Sequence, residues 1–273
     1  MKTTMLLITA STVLNTAGLH AQTQPAYYQT VACVKVTPGK SADFRQFVND
    51  TSKKMAETRA KTGEIVSWSL LRSVMPAGAE ARCDYMISTN YEGAPPKPSS
   101  AEDTARTLEK AGVKMTAAQY YAKRESLSRL VAMEMWRPRV RVGHPEKGNY
   151  VLLNHMAVHN AADYYKFEME VWRPLAEVLI KEGTQSAWQF STLLFPGGTD
   201  VKYRAVSADI YPSWDAVFKS HDVEASFKKA HPDKDYNETM GSIPKLRDLA
   251  QRDLLVIEER VARPDSVVST ASR

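Results

Sequence analysis

Apolar and polar positions alternate, then recur every third or fourth residue, in an order the chain runs through twice. Val31 to Val36 is β-branched and alternating, the pattern of a half-buried strand, and Thr37-Pro38-Gly39 turns the chain out of it. Phe44, Phe47, Val48, Thr51 and Met55 then fall at helical spacing, and Gly63 supplies the left-handed residue that stops the helix. A strand from Ile65 to Val74 turns at Pro76-Ala77-Gly78 into a third strand, a hairpin. A less regular helix covers 101–127, and a strand over Leu130–Trp136 ends the series. The order then starts again. Asn160 caps a helix carrying Tyr164, Phe167, Val171, Leu175 and Leu179, which stops at Gly183. A strand from Gln185 to Leu194, a turn at Pro196-Gly197-Gly198, a helix over 222–251 and a strand over Leu254–Arg260 follow.

The two series share residues as well as pattern. Residues 34–91 align with 154–211 without a gap at a constant offset of 120, pairing Asp43/Asp163, Phe47/Phe167, Glu57/Glu177, Trp68/Trp188 and Tyr91/Tyr211. Residues 128–135 align with 252–259 at an offset of 124. A unit of roughly 115 residues, over 28–140 and 148–264, suits a duplicated domain rather than a short solenoid repeat. Each unit reads βαββαβ, the ferredoxin-like plan. The stretch VKVTPGKSADF, its helix and the Gly-initiated aromatic strand resemble the dimeric α/β-barrel superfamily, which includes antibiotic-biosynthesis-type monooxygenases, haem-degrading monooxygenases and NIPSNAP-like proteins. The second copy departs from that motif at the turn, reading HMAVHNAADYY. The resemblance implies an α+β fold in which two tandem units pack sheet to sheet as an intramolecular dimeric α/β barrel around a pocket.

The first 21 residues, MKTTMLLITASTVLNTAGLHA, have a basic start and an apolar stretch of about ten residues, too short to span a bilayer. They read as a cleaved signal peptide, cut near Ala21/Gln22, which places the mature protein in the periplasm or outside the cell. The expected organisation is a signal peptide over 1–21, barrel halves over 22–143 and 144–264, and a disordered tail over 265–273. No later segment is apolar for long enough to span a membrane. The net charge is +5, from 36 Lys and Arg against 31 Asp and Glu, and it is spread along the chain. Nucleic acid is therefore not an expected partner, and the strand-three segments lack the paired stacking aromatics of RNA-binding βαββαβ domains. Monomer or homodimer is expected.

Candidate chemistry is sparse. His155 aligns with Lys35, and one strand face carries Val31, Cys33 and Lys35 in the first unit and Val151, Leu153 and His155 in the second. If that face lines the barrel, Lys35 and His155 are basic groups in the pocket, and His155 could serve as a general base or an axial haem ligand. The competing reading is a pair of solvated strand ends. His155 and His159 cannot share a metal, since four residues of strand span ~13 Å. Trp68 and Trp188 are either core packing or an aromatic wall for a flat ligand. Arg137, Arg139, Arg141, His144 and Lys147 lie where the units join, as a solvated linker or an anion dock. His231-Pro232-Asp233 and Tyr236 could form a lip over the pocket. In the ferredoxin-like strand order 4-1-3-2, Cys33 of strand one and Cys83 of strand three could face each other and form a disulfide in an oxidising compartment.

No G-x-S-x-G, H-E-x-x-H, P-loop or G-x-G-x-x-G occurs, so no catalytic residues or metal site are assigned and no cofactor is predicted. Haem is the one group the resemblance leaves open. The expected function is an exported protein binding a small, flat or apolar ligand. The alternatives are a cofactor-independent oxygenase or haem-handling enzyme, and a non-catalytic scaffold.

Overall fold

A computed structural model describes residues 26–94 and 96–264, so the signal peptide expected over 1–21 and the tail expected over 265–273 lie outside the described residues. The first half runs β1 (Tyr27–Val36), α1 (Ser41–Phe47), a π turn (Val48–Ser52), α2 (Lys53–Lys61), β2 (Ser67–Met75), β3 (Tyr85–Glu92), α3 (Ala101–Lys110), α4 (Ala117–Leu127) and β4 (Ser128–Gly143). The second runs β5 (Tyr150–Val158), α5 (Ala161–Phe167), a π turn (Glu168–Trp172), α6 (Arg173–Lys181), β6 (Ala187–Phe195), β7 (Ala205–Tyr211), α7 (Trp214–Phe218), α8 (Val223–Ala230), α9 (Tyr236–Gly241), α10 (Ile243–Leu246) and β8 (Arg247–Ala262). The strands form one closed antiparallel barrel in the order β1-β3-β2-β8-β5-β7-β6-β4. Within it, β4-β1-β3-β2 and β8-β5-β7-β6 each keep the ferredoxin-like order. No helix among the described residues is long and apolar enough to cross a membrane.

Closure depends on two strands that are longer than the sequence pattern implies. β4 and β8 have 16 residues each. The first part of β4 pairs with β1 from Val36↔Ser128 to Gln29↔Trp136, and the rest crosses to β6 from Met135↔Phe195 to Gly143↔Ala187. β8 likewise pairs with β5 and then with β2. The stretch containing Arg137, Arg139 and Arg141 is therefore strand, not a solvated linker. Alternation of these arginines with Val140 and Val142 is the period-2 signal, masked by Pro138 and the charge. Residues 247–251, expected in a helix, also belong to a strand. Gly143 ends β4 at φ +73°, and a Cβ there would lie 2.3 Å from the Ser186 carbonyl oxygen, so only glycine fits.

Alternation along the strands makes two cores. The outward face of the first half places Val34, Val36, Trp68, Leu70 and Tyr85 against Phe44, Phe47 and Val48 of the helical layer. In the second half Met156, Trp188, Phe190 and Ala205 meet Tyr164 and Ala176. The inward face is a separate apolar lining of Val151, Ile210, Leu255 and Ile257, with Leu71, Met86 and Leu153 against it. The α5 N-terminus is capped as expected, Asn160 Oδ1 accepting from the backbone N–H groups of Ala162 and Asp163.

The outer core of the second half carries a buried acid. Glu168 opens its π turn and is 1% exposed, where the first half has Val48. Burial raises its carboxyl to about 8, with the Tyr164 hydroxyl and Arg247 opposing the rise and Asp209 adding to it. Asp209 is itself pushed up to about 6 by burial, against its Asn154 hydrogen bond and Arg252. A carboxyl raised in the native state holds its proton more tightly there than in the unfolded chain. Its stabilising contribution is complete below the unfolded value and is lost as pH rises through the native one. Stability should thus fall between about pH 4.5 and pH 8, by up to about 1.4 kcal/mol per pH unit from Glu168. Urea unfolding at pH 5 and pH 8 measures the slope. Glu168→Gln should flatten it, and equal slopes in the two proteins would refute the assignment.

Candidate active site in the barrel interior

The inward-facing positions of all eight strands enclose a cavity of about 120 Å³. Val31, Leu71, Met86, Val151, Leu153, Ala208, Ile210, Leu255 and Ile257 make most of its wall apolar. The face carrying Val31, Cys33, Val151, Leu153 and His155 does line it.

Polar groups converge at one end. Glu134, on β4, accepts from Arg82 Nη2 at 3.1 Å, from Trp136 Nε1 at 3.2 Å and from the Tyr203 hydroxyl. Arg82 also donates to the Tyr203 oxygen at 2.8 Å. With three donors on its two oxygens, Glu134 organises the cluster rather than offering a free base. Tyr203 stacks on Trp136, centroids 6.0 Å apart and planes 10° apart, and tilts against His155 at 4.5 Å. Burial, then the Glu134 hydrogen bond, raises the Tyr203 hydroxyl to about 12, so it stays protonated and donating at neutral pH.

His155 completes this end. It is 4% exposed, so it is not a solvated strand end. Its Nδ1 lies 3.7 Å from Asp253 Oδ2, an electrostatic neighbour beyond hydrogen-bond length, and has no hydrogen-bond partner. Both Asp253 oxygens accept from Gln251 Nε2, at 2.8 and 2.9 Å, which holds the carboxylate in place. Burial lowers the His155 value against the pull of Asp253 and Glu134 in the other direction, so the ring is neutral at pH 7 and able to take a proton.

The other expected site residues lie elsewhere. Lys35 does not face the cavity. Its Nζ pairs with Asp84 at 2.9 Å and donates to the carbonyls of Gly78 and Ala81, tying down the hairpin connection. Trp68 and Trp188 sit one residue out of phase with the interior, so they pack under the helices and are no wall to this cavity. His231 forms no lip. It is buried against the second π turn, with Nε2 2.9 Å from the Val171 carbonyl oxygen and its ring against Phe227. His159 is exposed and pairs with Asp248 at 2.9 Å.

Cys33 and Cys83 are joined, with Cα atoms 5.3 Å apart. They are not opposite one another on two strands. The ladder partner of Cys33 is Met86, and Cys83 precedes β3, where Asp84 N–H bonds back to the Val34 carbonyl and brings Cys83 over β1. Arg82, Glu134, Trp136, Tyr203 and Asp253 were missed as site residues. The available signal was Glu134 within VAMEMW and Asp253 ahead of LLVI, acids in otherwise apolar strands.

Among the described residues no group of three or more His, Cys, Asp and Glu side chains is placed to hold a metal ion. Haem can be tested against the space itself. A cavity near 150 Å³ takes one benzene ring, so the space of about 120 Å³ that His155 lines has room for about one ring and not for a tetrapyrrole. His155, the one histidine among the described residues of the wall, is backed by Tyr203 and Trp136. The residues present do not fit haem, and no chemistry is assigned through it.

No protein-family model matches the sequence, and no curated protein matches it. Solved structures do match. A protein from Fusobacterium nucleatum with a provisional monooxygenase assignment superposes with a TM-score of 0.52 at 8% identity, over 88% of this chain and 95% of that one. One with the same provisional assignment from Lactobacillus acidophilus gives 0.49 at 10% identity, over 88% and 97%. A chlorite dismutase from Candidatus Nitrospira defluvii gives 0.43 at 7%, over 85% and 91%. Identity this low speaks for the fold alone. The fold is the ferredoxin-like dimeric α/β barrel, formed here within a single chain.

Proposed function

We propose that the barrel interior is the active chamber of an exported enzyme, one that takes a proton from a small, flat, largely apolar molecule as the first step of a cofactor-independent oxygenation. The observation carrying this reading is a neutral, buried His155 on the cavity wall, backed by Asp253 and next to the Glu134–Tyr203–Arg82 cluster. A general base needs a free lone pair within reach of the proton it takes. An apolar wall adds to this by excluding water from the anion that forms. Delocalised over an aromatic ring, such an anion can give an electron to dioxygen directly. The Cys33–Cys83 bond supports an oxidising compartment, in keeping with a signal peptide over residues 1–21.

The test is dioxygen uptake with single-ring hydroxyarenes, alongside binding followed by tryptophan fluorescence. Uptake that falls roughly 100-fold or more in His155→Gln, with binding retained, is the expected result. Binding without His155-dependent uptake would overturn catalysis and leave a ligand-binding protein. No binding of any ring compound would leave a scaffold.

A further inference from the structure

The interior cavity continues past its apolar wall. Asn90, Pro145, Gln189, Ile210 and Arg260 line it and also line a second space of about 350 Å³, beside the stretch of β4 that crosses to β6. This mouth is cationic. Arg137, Arg139, Arg141, Arg173, Arg260 and Arg263 all face it, and Glu92 is the one carboxylate among its described lining residues.

Other cations around the barrel meet an acid at 3.1 Å or less: Lys53 and Lys147 meet Glu259, Arg82 meets Glu134, and Arg263 meets Glu92. Arg141 and Arg260 do not. Arg141 is held by neutral acceptors, its Nε donating to Gln189 Oε1 at 2.7 Å and its Nη2 to Asn90 Oδ1. Arg260 donates from Nη1 to Ser69 Oγ at 3.3 Å. Burial, with the Arg260 charge adding to it, pushes Arg141 down to about 10. Burial also lowers Arg260, against the opposing charge of Glu146. Two neighbouring like charges, oriented and partly desolvated without an ion pair to either, cost free energy that a bound anion would offset. Arg141 has further guanidinium N–H groups beyond the two in use, in the planar geometry that suits a carboxylate.

Resting on the reading of the interior as a ligand chamber, we propose that its ligand is an organic carboxylate. The carboxylate binds Arg141 and Arg260 at the mouth, and the apolar ring extends into the barrel towards His155. The neutral acceptors fix the Arg141 charge without an ion pair. The shared lining explains how one molecule reaches both spaces.

Calorimetric titration of the full chain with 4-methylbenzoate, its methyl ester and inorganic phosphate tests this. The acid should bind roughly 10- to 100-fold tighter than the ester, the range for hydrogen bonds to charged groups. Arg141→Gln and, independently, Arg260→Gln should remove that advantage while leaving ester affinity unchanged. Ester binding as tight as the acid would overturn the carboxylate site and leave the chamber reading standing. Phosphate binding as tight as the acid would overturn the organic ligand. Failure of both ring compounds would overturn the chamber reading and this inference with it.

Discussion

A fragment of residues 22–143 is expected not to fold as a monomer. In the intact barrel β2 is paired with β8 and the last part of β4 with β6, so the fragment has two unpaired strand edges where the barrel has none. Its inner face would also lose its cover, because the interior core joins Leu71 and Met86 of the first half to Val151, Ile210, Leu255 and Ile257 of the second. Each fully buried side chain of this kind contributes about 1.5–3 kcal/mol, and several together rival the ~5–15 kcal/mol that separates most folded domains from unfolding. The fragment should aggregate, or pair with a second copy to rebuild a barrel. Light scattering and thermal unfolding distinguish the outcomes. A monomer with a sharp transition would show that each half is independently stable, and that the shared cavity is incidental to folding.

Removing the disulfide should have the next largest effect. Cys33 and Cys83 close a loop with a sequence separation of 50 residues, for which the chain-entropy relation gives roughly 4 kcal/mol. In a chain of this size that lowers the melting temperature by roughly 10 °C. The Cys33→Ala/Cys83→Ala protein should show that drop by calorimetry, and a shift under about 2 °C would contradict it. The functional consequence follows from position. Arg82 is the residue before Cys83, so releasing the bond frees the segment that presents Arg82 to Glu134 and Tyr203. Binding of ring compounds should weaken in the same variant.

Period and punctuation are local properties, and the sequence alone determined what depends on them: two βαββαβ series, the helix stops at Gly63 and Gly183, the Asn160 cap, and the strand face carrying Val31, Cys33, Val151, Leu153 and His155. Alternation defines two faces of a strand but not which one turns inward. Only barrel closure decided that Trp68 and Trp188 face the helices while His155 faces the cavity. The crossing halves of β4 and β8 were illegible for a related reason. Their partners, β6 and β2, lie in the other half of the chain, and pairing with them turned an arginine-rich stretch into strand. The site is non-local in the same way. Arg82, Glu134, His155, Tyr203 and Asp253 come from five strands or strand ends in both halves, with no spacing that relates them. Lys35 shows the converse, since its alignment with His155 was real in sequence but Asp84, one connection away, captured its charge. Local chemistry chose the elements, and only the closed barrel brought their charges together.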